Sequence, residues 1–498
     1  MKTRGSGILL HITSLPSPYG IGDVGPAAYT YLDFLYKTGQ RYWQILPIHP
    51  TDIKYDDSPY HSLSAFAGNI LLISPDLLIE EGLLDYSDLD PLPVFNSTTI
   101  DFNAVTLYKK RLLEIAFHRF RYFGSNNDFS IFCEEQAWWL DDYALFMAIR
   151  DHYPDSIWYD WPEELKNRDE NYIREFKRIH SEEFERERFF QYVFFFQWTV
   201  FKKKCNEYGI WLIGDIPIYV DYDSSDVWSN PELFQLDELK KPVKIAGVPP
   251  DYFSSTGQVW NNPLYSWDTM RKDNFSWWIK RIKRELQCVD YLRIDHFRGL
   301  VGYFAIPAGA ETAINGEWVE APVWDFLRTL ERNFSYLPII AEDLGIITPD
   351  VREVMREFSI PGMKVLLFAF TSETSENPYI LHNTTKNSLI YTGTHDNNTI
   401  IGWFTTAASE LEKQRLFSYI GREINQSEIC DVFIRMAMIS NSNTAIIPMQ
   451  DLLCLDDSAR MNIPGTDNGN WKWIMQKEMI TDELVYYLNN LLVTYGRK

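Results

Sequence analysis

Tyr291-Leu-Arg-Ile-Asp295 and Pro338-Ile-Ile-Ala-Glu342 share one pattern, a short apolar run that stops at a carboxylate. The pattern recurs along the chain. Gly7-Ile-Leu-Leu-His11, Trp43-Gln-Ile-Leu-Pro47, Trp211-Leu-Ile-Gly-Asp215, Met363-Lys-Val-Leu-Leu-Phe368, Ser388-Leu-Ile-Tyr-Thr-Gly-Thr-His-Asp396 and Thr444-Ala-Ile-Ile-Pro-Met-Gln-Asp451 bring the set to eight. Continuous apolar runs of about four to six residues suit strands buried on both faces, as a parallel sheet requires. Helical spacing fills the gaps, as in Trp277–Leu286 before one run and Val323–Phe334 before the next. Alternating strand and helix predicts an α/β protein, and eight strands predict a closed (β/α)8 TIM barrel.

The 498 residues exceed what such a barrel needs, so large insertions are expected. Residues 1–50 read as the first part of the barrel. The roughly 160 residues between the second and third runs are far too many for one crossover helix. Residues 51–208 therefore read as inserted, mainly helical subdomains, with long helices over Phe132–Tyr153 and Arg174–Tyr208. Phe189-Phe-Gln-Tyr-Val-Phe-Phe-Phe-Gln-Trp198 carries too many aromatics for one face and is expected to be buried all round. Residues 209–221 hold the third strand, 222–273 a smaller inserted loop region, and 274–498 the remainder of the barrel.

Composition narrows the function. With 69 acidic and 47 basic side chains the net charge is −22, which disfavours nucleic acid and anionic membranes as partners. No apolar stretch approaches the roughly 18 residues that span a bilayer, and nothing after Met1 resembles a signal peptide. The five cysteines are scattered without a CxxC pair and are expected to be buried thiols in a reducing, cytoplasmic compartment. Trp, Tyr and Phe make up 15% of the chain. Their faces can stack on sugar rings, although core filling alone accounts for many of them.

Chemistry on a barrel belongs at the carboxyl ends of the strands. Asp215, Asp295, Glu342 and Asp451 end four of the runs, and His395-Asp396 ends a fifth. Any one of these acids could cap a following helix, but five on one face exceed what capping alone explains. Converging carboxylates imply either a hard-cation site or acid/base and nucleophilic work at a glycosidic centre. The nine histidines show no HxH, HExxH or other close ligand spacing, so they do not point to a metal site. A cation held by Asp and Glu alone stays open, less attractive because arginines lie beside these acids. In Arg293-Ile-Asp295 the i, i+2 spacing puts both side chains on one strand face, a guanidinium beside the candidate nucleophile. Asp295 and Glu342 end successive runs, and neighbouring strands lie about 4.8 Å apart. That spacing suits the roughly 5–5.5 Å between the carboxyls of a retaining glycosidase. The apolar run before Glu342 would desolvate it and favour the protonated form that an acid needs. Gly20-Ile-Gly-Asp-Val-Gly25 matches GxGxxG but follows a loop, and reads as a tight turn, not a dinucleotide site.

Longer stretches resemble one family. They include Gly7-Ile-Leu-Leu-His-Ile-Thr-Ser-Leu-Pro-Ser-Pro-Tyr-Gly-Ile-Gly22, Asp57-Ser-Pro-Tyr-His-Ser-Leu-Ser-Ala-Phe-Ala-Gly-Asn69, Gly214-Asp-Ile-Pro-Ile-Tyr-Val220 and Gly247-Val-Pro-Pro-Asp-Tyr-Phe253. Arg293-Ile-Asp-His-Phe-Arg-Gly299, Ala341-Glu-Asp-Leu-Gly345, Thr392-Gly-Thr-His-Asp-Asn397 and Asn462-Ile-Pro-Gly-Thr466 follow in the same order. From Gly5 to about Trp473 the chain resembles the 4-α-glucanotransferases, or amylomaltases, of glycoside hydrolase family 77. The resemblance implies Asp295 as nucleophile, Glu342 as acid/base and Asp396 as stabiliser of the transition state. It implies sugar binding by Tyr60, Ser58, Asp215, Arg293, His395 and Trp260, α-1,4-glucans as substrates, transfer in preference to hydrolysis, and no metal or organic cofactor. A glucan hydrolase, or a catalytically silent glucan-binding protein on the same barrel, is the alternative. Three departures stand out. Asn261 replaces a glycine in Trp260-Asn-Asn-Pro-Leu-Tyr265, Ile12 replaces a proline, and Ile474 stands where an arginine is frequent.

Overall fold

The computed structural model describes residues 3–124, 127–250, 254–345, 347–373, 375–466 and 468–498. The end of the Gly247–Phe253 motif, residues 251–253, lies outside the described residues. All eight apolar runs contribute strands: β1 (Gly5–Leu9), β2 (Tyr42–Gln44), β3 (Trp211–Ile216), β4 (Tyr291–Ile294), β5 (Ile339–Ala341), β6 (Gly362–Val365), β7 (Ser388–Tyr391) and β8 (Thr444–Pro448). Each pairs in parallel with its sequence neighbours, and β8 pairs with β1 to close the barrel. Every strand residue except Trp211, Tyr291 and Lys364 is buried. Helices cover the outside and side chains fill the inside, so no face is left for the polar alternation of a half-exposed strand. Near the mouth the filling turns polar: the Tyr391 hydroxyl on β7 crosses to Gln44 on β2 (2.8 Å).

Between β2 and β3 run three long helices, α1 (Phe102–Phe123), α2 (Asn127–His152) and α3 (Ser181–Glu207). The stretch expected as one helix from Arg174 breaks at His180, which separates α3 from a shorter helix, Glu170–Ile179. The aromatic segment of α3 is buried at Phe189, Phe190, Phe194, Phe195 and Trp198, but Phe196 is 47% exposed. Burial all round therefore fails at that turn. Two buried glutamines on α3 fasten the loop that follows β2: Gln191 exchanges hydrogen bonds with the backbone of Gly68, and Gln197 with that of Ser74. On α1, Lys109 is buried with its ammonium on Asp23 and on the carbonyls of Leu71 and Ile73.

The region 222–273 is not all loop. Lys244–Val248 and Gln258–Pro263 pair antiparallel there, and the sheet continues through Gly302–Pro307 to Glu317–Glu320 from the segment after β4. These strands are short, and half of them belong to a distant segment, which hides the sheet from local patterning. The GxGxxG segment is a turn. Gly20 has φ +76°, a Cβ on Gly22 would lie 2.0 Å from the carbonyl oxygen of Ile12, and Gly25 opens the helix Pro26–Lys37. Four cysteines are buried, but Cys454 is exposed, against expectation. Among the described residues no helix is long and apolar enough to cross a membrane.

Candidate active site

Parallel pairing in register brings the candidate acids together. Leu292, Arg293 and Ile294 on β4 pair with Ile339, Ile340 and Ala341 on β5, so Asp295 and Glu342 are the next residues out at the same end of adjacent strands. Their amides continue the ladder: Asp295 N–H donates to Ile216 O (2.9 Å) and Glu342 N–H to Ile294 O (3.1 Å). Arg293 is nearly inaccessible and divides its guanidinium between Asp215 on β3 (2.5 Å) and Asp295 (2.9 Å). The Asp295 side chain keeps 31% of its surface open, whereas that of Asp215 keeps none.

Glu342 is held by its own loop. Its Oε2 accepts from the His296 amide (2.8 Å) and its Oε1 from the Leu344 amide (2.9 Å). Burial pushes its carboxyl up to about 8, with the negative charge of Asp295 acting in the same direction and Arg293 against both. At neutral pH this acid holds its proton, as the apolar run before it predicts.

Asp396 lies in the loop after β7. Burial would raise its pKa, but His395, the amide of Asn462 and the more distant Arg293 outweigh that and hold it well below the usual carboxylate range. His395 Nε2 lies 3.2 Å from Asp396 Oδ2, Asn462 Nδ2 donates to Oδ1 (2.6 Å), and Arg460 donates to the Asp396 carbonyl (2.8 Å). Two oppositely perturbed carboxyls, one neutral and one charged, thus occupy one end of the barrel.

Tyr60 joins these groups. Its hydroxyl donates to Asp215 (2.8 Å), and its ring stacks on His395 (5.1 Å between centroids, 18° between planes) and packs against Trp471 (5.7 Å). Ser58 accepts from the Tyr60 amide (3.3 Å), so it shapes the turn that carries the ring. Trp260, on the inserted sheet, meets His296 edge-on (4.9 Å, 89°). Asp215, fully buried, reaches the cleft through Tyr60 and Arg293. Asp451, counted among the converging acids, has both oxygens engaged: it accepts from Thr392 Oγ1 (2.5 Å) and from the Ile400 amide (2.8 Å), fastening the segment after β7 and the helix at Ile400. For this one acid, backbone capping is the answer.

The backbone is strained here. His296 (φ +49°), Asn261 (+63°) and Trp471 (+64°) occupy the left-handed region, uncommon for side chains of this size. Asn is the non-glycine residue that tolerates that region best, which accounts locally for Asn261 in place of a glycine. Ile12 is buried in a short helical turn and Ile474 is buried. Nothing in the structure explains these two departures. Three contributors went unassigned in the sequence, namely Asn462, Trp471 and His296. The first and third lie inside the quoted motifs, Asn462 two residues before Pro464 and His296 directly after Asp295, and Trp471 lies beside the Lys472-Trp473 pair. Their partners, however, are many residues away.

A family model described as 4-alpha-glucanotransferase matches residues 10–480. A 4-alpha-glucanotransferase of Aquifex aeolicus is 46% identical over 495 residues, covering 99% of this chain and all of that protein. One of Thermus thermophilus is 44% identical over 481 residues, 94% of each chain. An amylomaltase from Streptococcus agalactiae, solved in complex with acarbose, superposes with a TM-score of 0.95 at 39% identity and 99% coverage of both chains.

Proposed function

This chain belongs to the 4-alpha-glucanotransferase family, and on that premise we propose that Asp295, Glu342 and Asp396 perform the transfer by double displacement with retention. In the first step an Asp295 oxygen attacks the anomeric carbon of an α-1,4-glucan. The glycosidic C–O bond breaks as Glu342 gives its proton to the departing 4-oxygen, leaving a glycosyl ester on Asp295. In the second step the Glu342 carboxylate takes the proton from the 4-hydroxyl of an acceptor glucan. That oxygen attacks the anomeric carbon, and the bond to Asp295 breaks. Asp396, held ionised, faces the positive charge that develops on the sugar in both steps. His395 and Tyr60 bind sugar around the cleaved bond, Ser58 and Asp215 act through Tyr60, and Arg293 orients the nucleophile. The inserted residues 51–208 and 222–273 supply walls of the cleft, through Tyr60 on one side and Trp260 on the other.

The observation that carries this reading is that Asp295 and Glu342 directly follow the paired residues Ile294 and Ala341 at the same end of adjacent strands, with the Glu342 carboxyl pushed up to about 8. A retaining mechanism needs two carboxyls at about strand spacing, one of them protonated at rest. The test is the product pattern from maltotriose. Transfer gives glucose together with a ladder of longer and shorter oligomers, whereas hydrolysis gives shorter products alone, and that outcome would overturn the proposal. Acarbose, bound by the Streptococcus agalactiae relative, is expected to inhibit.

A further inference from the structure

Asp221 has no part in the chemistry above, yet it joins the two walls of the cleft. It sits in the loop after β3, with a side chain only 8% exposed. Its Oδ1 meets two donors: His61 Nδ1 at 2.8 Å and Asn262 Nδ2 at 3.2 Å. The partners are 160 and 41 residues away in sequence. His61 follows Tyr60 directly and stacks face to face on Tyr55 (4.4 Å, 13°). Asn262 lies two residues beyond Trp260, and its amide also donates to Val220 O (3.0 Å).

The strand that carries Trp260 needs such a tie. Among the described residues, Gln258–Pro263 is at the edge of the inserted sheet, with Lys244–Val248 as its one strand neighbour. A sheet edge fixes a strand within its sheet but not the sheet against the barrel. Asn262, through Asp221 and Val220, fastens that strand to the loop after β3, and Tyr265 does the same just beyond it by donating to Ile218 O (2.7 Å). On the other wall, Tyr60 is bound to Asp215 on the same strand, β3.

We propose that Asp221 is a positioning residue for glycosyl transfer. By bridging His61 and Asn262 it fixes the distance between Tyr60 and Trp260 across the cleft and thereby the geometry of the acceptor site. The inference rests on the assignment of Tyr60 and Trp260 to sugar binding made above, and takes the Trp260 wall as the side that receives the acceptor. Losing the bridge leaves the three acids in place but lets the Trp260 wall shift, so the acceptor is held less well and water competes for the glycosyl-enzyme.

The experiment measures, in the full-length protein, the KM for glucose as acceptor, kcat, and the transfer-to-hydrolysis ratio from maltotriose. Asp221→Ala removes both bonds and is expected to raise the acceptor KM by about tenfold and to shift products toward hydrolysis. Asp221→Asn keeps an oxygen that accepts both bonds and should restore KM and product ratio to within about twofold. Trp260→Ala is run alongside and should raise the acceptor KM by itself. If Trp260→Ala moves the acceptor KM and Asp221→Ala does not, or if Asp221→Asn is as impaired as Asp221→Ala, the bridge is refuted. An unchanged acceptor KM in Trp260→Ala overturns the assignment of Trp260 itself, and with it this inference. Should Asp221→Ala fail to fold, His61→Phe and Asn262→Ala each remove one of the two bonds. Wild-type KM and product ratio in both would refute the proposal.

Discussion

Two buried cations in this molecule are treated in opposite ways. Lys109, in the inserted helices, is complete: its three ammonium hydrogens meet Asp23 and the carbonyls of Leu71 and Ile73, and the other oxygen of Asp23 accepts from the Gly25 amide (3.0 Å). Arg293, in the barrel, is as deeply buried, but its surroundings are unfinished. Among the described residues, Asp215 Oδ1, His395 Nδ1 and His296 Nε2 are buried without a protein hydrogen-bond partner, and Asp295 is partly open. Unsatisfied buried polar atoms are costly, so a fold retains them where something other than stability requires it. The satisfied pair holds the insertion to the barrel. The unsatisfied one holds reacting groups in place.

That contrast can be attacked from both sides. The largest effect should come from Asp295→Asn and Glu342→Gln, each lowering turnover by roughly 10³-fold or more in a protein that still folds. Near-wild-type rates in either would assign these groups to structure instead. Lys109→Met should do the reverse. It strands Asp23 in the interior and should cost about 3–5 kcal/mol in denaturant unfolding, while kcat per folded molecule stays as it was. A fall in kcat without a loss of stability would erase the distinction. Asn462→Ala removes the hydrogen bond to Asp396 Oδ1 and should lower kcat by about 10–100-fold, read from initial rates. The pH profile sharpens the comparison further. The raised Glu342 carboxyl is protonated below about 8 and loses its proton above, so kcat/KM should fall about tenfold per unit beyond that point. Burial that favours the neutral acid also means that folding stability declines as pH rises from the ordinary glutamate range through about 8. Glu342→Gln should therefore gain more in Tm at pH 8.5 than at pH 5. The smallest effect belongs to Asn261→Gly, which relieves a left-handed residue at the price of chain entropy and should change stability by no more than about 0.5 kcal/mol.

Much of this was legible along the chain because it is a property of short segments. A run such as Tyr291–Ile294 is apolar throughout and must be buried on both faces, and eight such runs separated by helices leave few architectures open. The i, i+2 spacing of Arg293 and Asp295 determines their common face. The apolar residues before Glu342 determine the direction in which its carboxyl shifts. Capping by Asp451 was less legible, because a capping acid and a catalytic acid look the same at the end of a strand.

What only the tertiary structure decided has one physical cause: it depends on contacts between segments far apart in the chain. Asn462 reaches Asp396 across 66 residues, Tyr60 reaches Asp215 across 155, and the inserted sheet is assembled from the segments after two different strands. Local propensity carries no information about such meetings. They are set by barrel register and by the packing of the insertions, which together determine which polar atoms are satisfied and which remain free for a sugar.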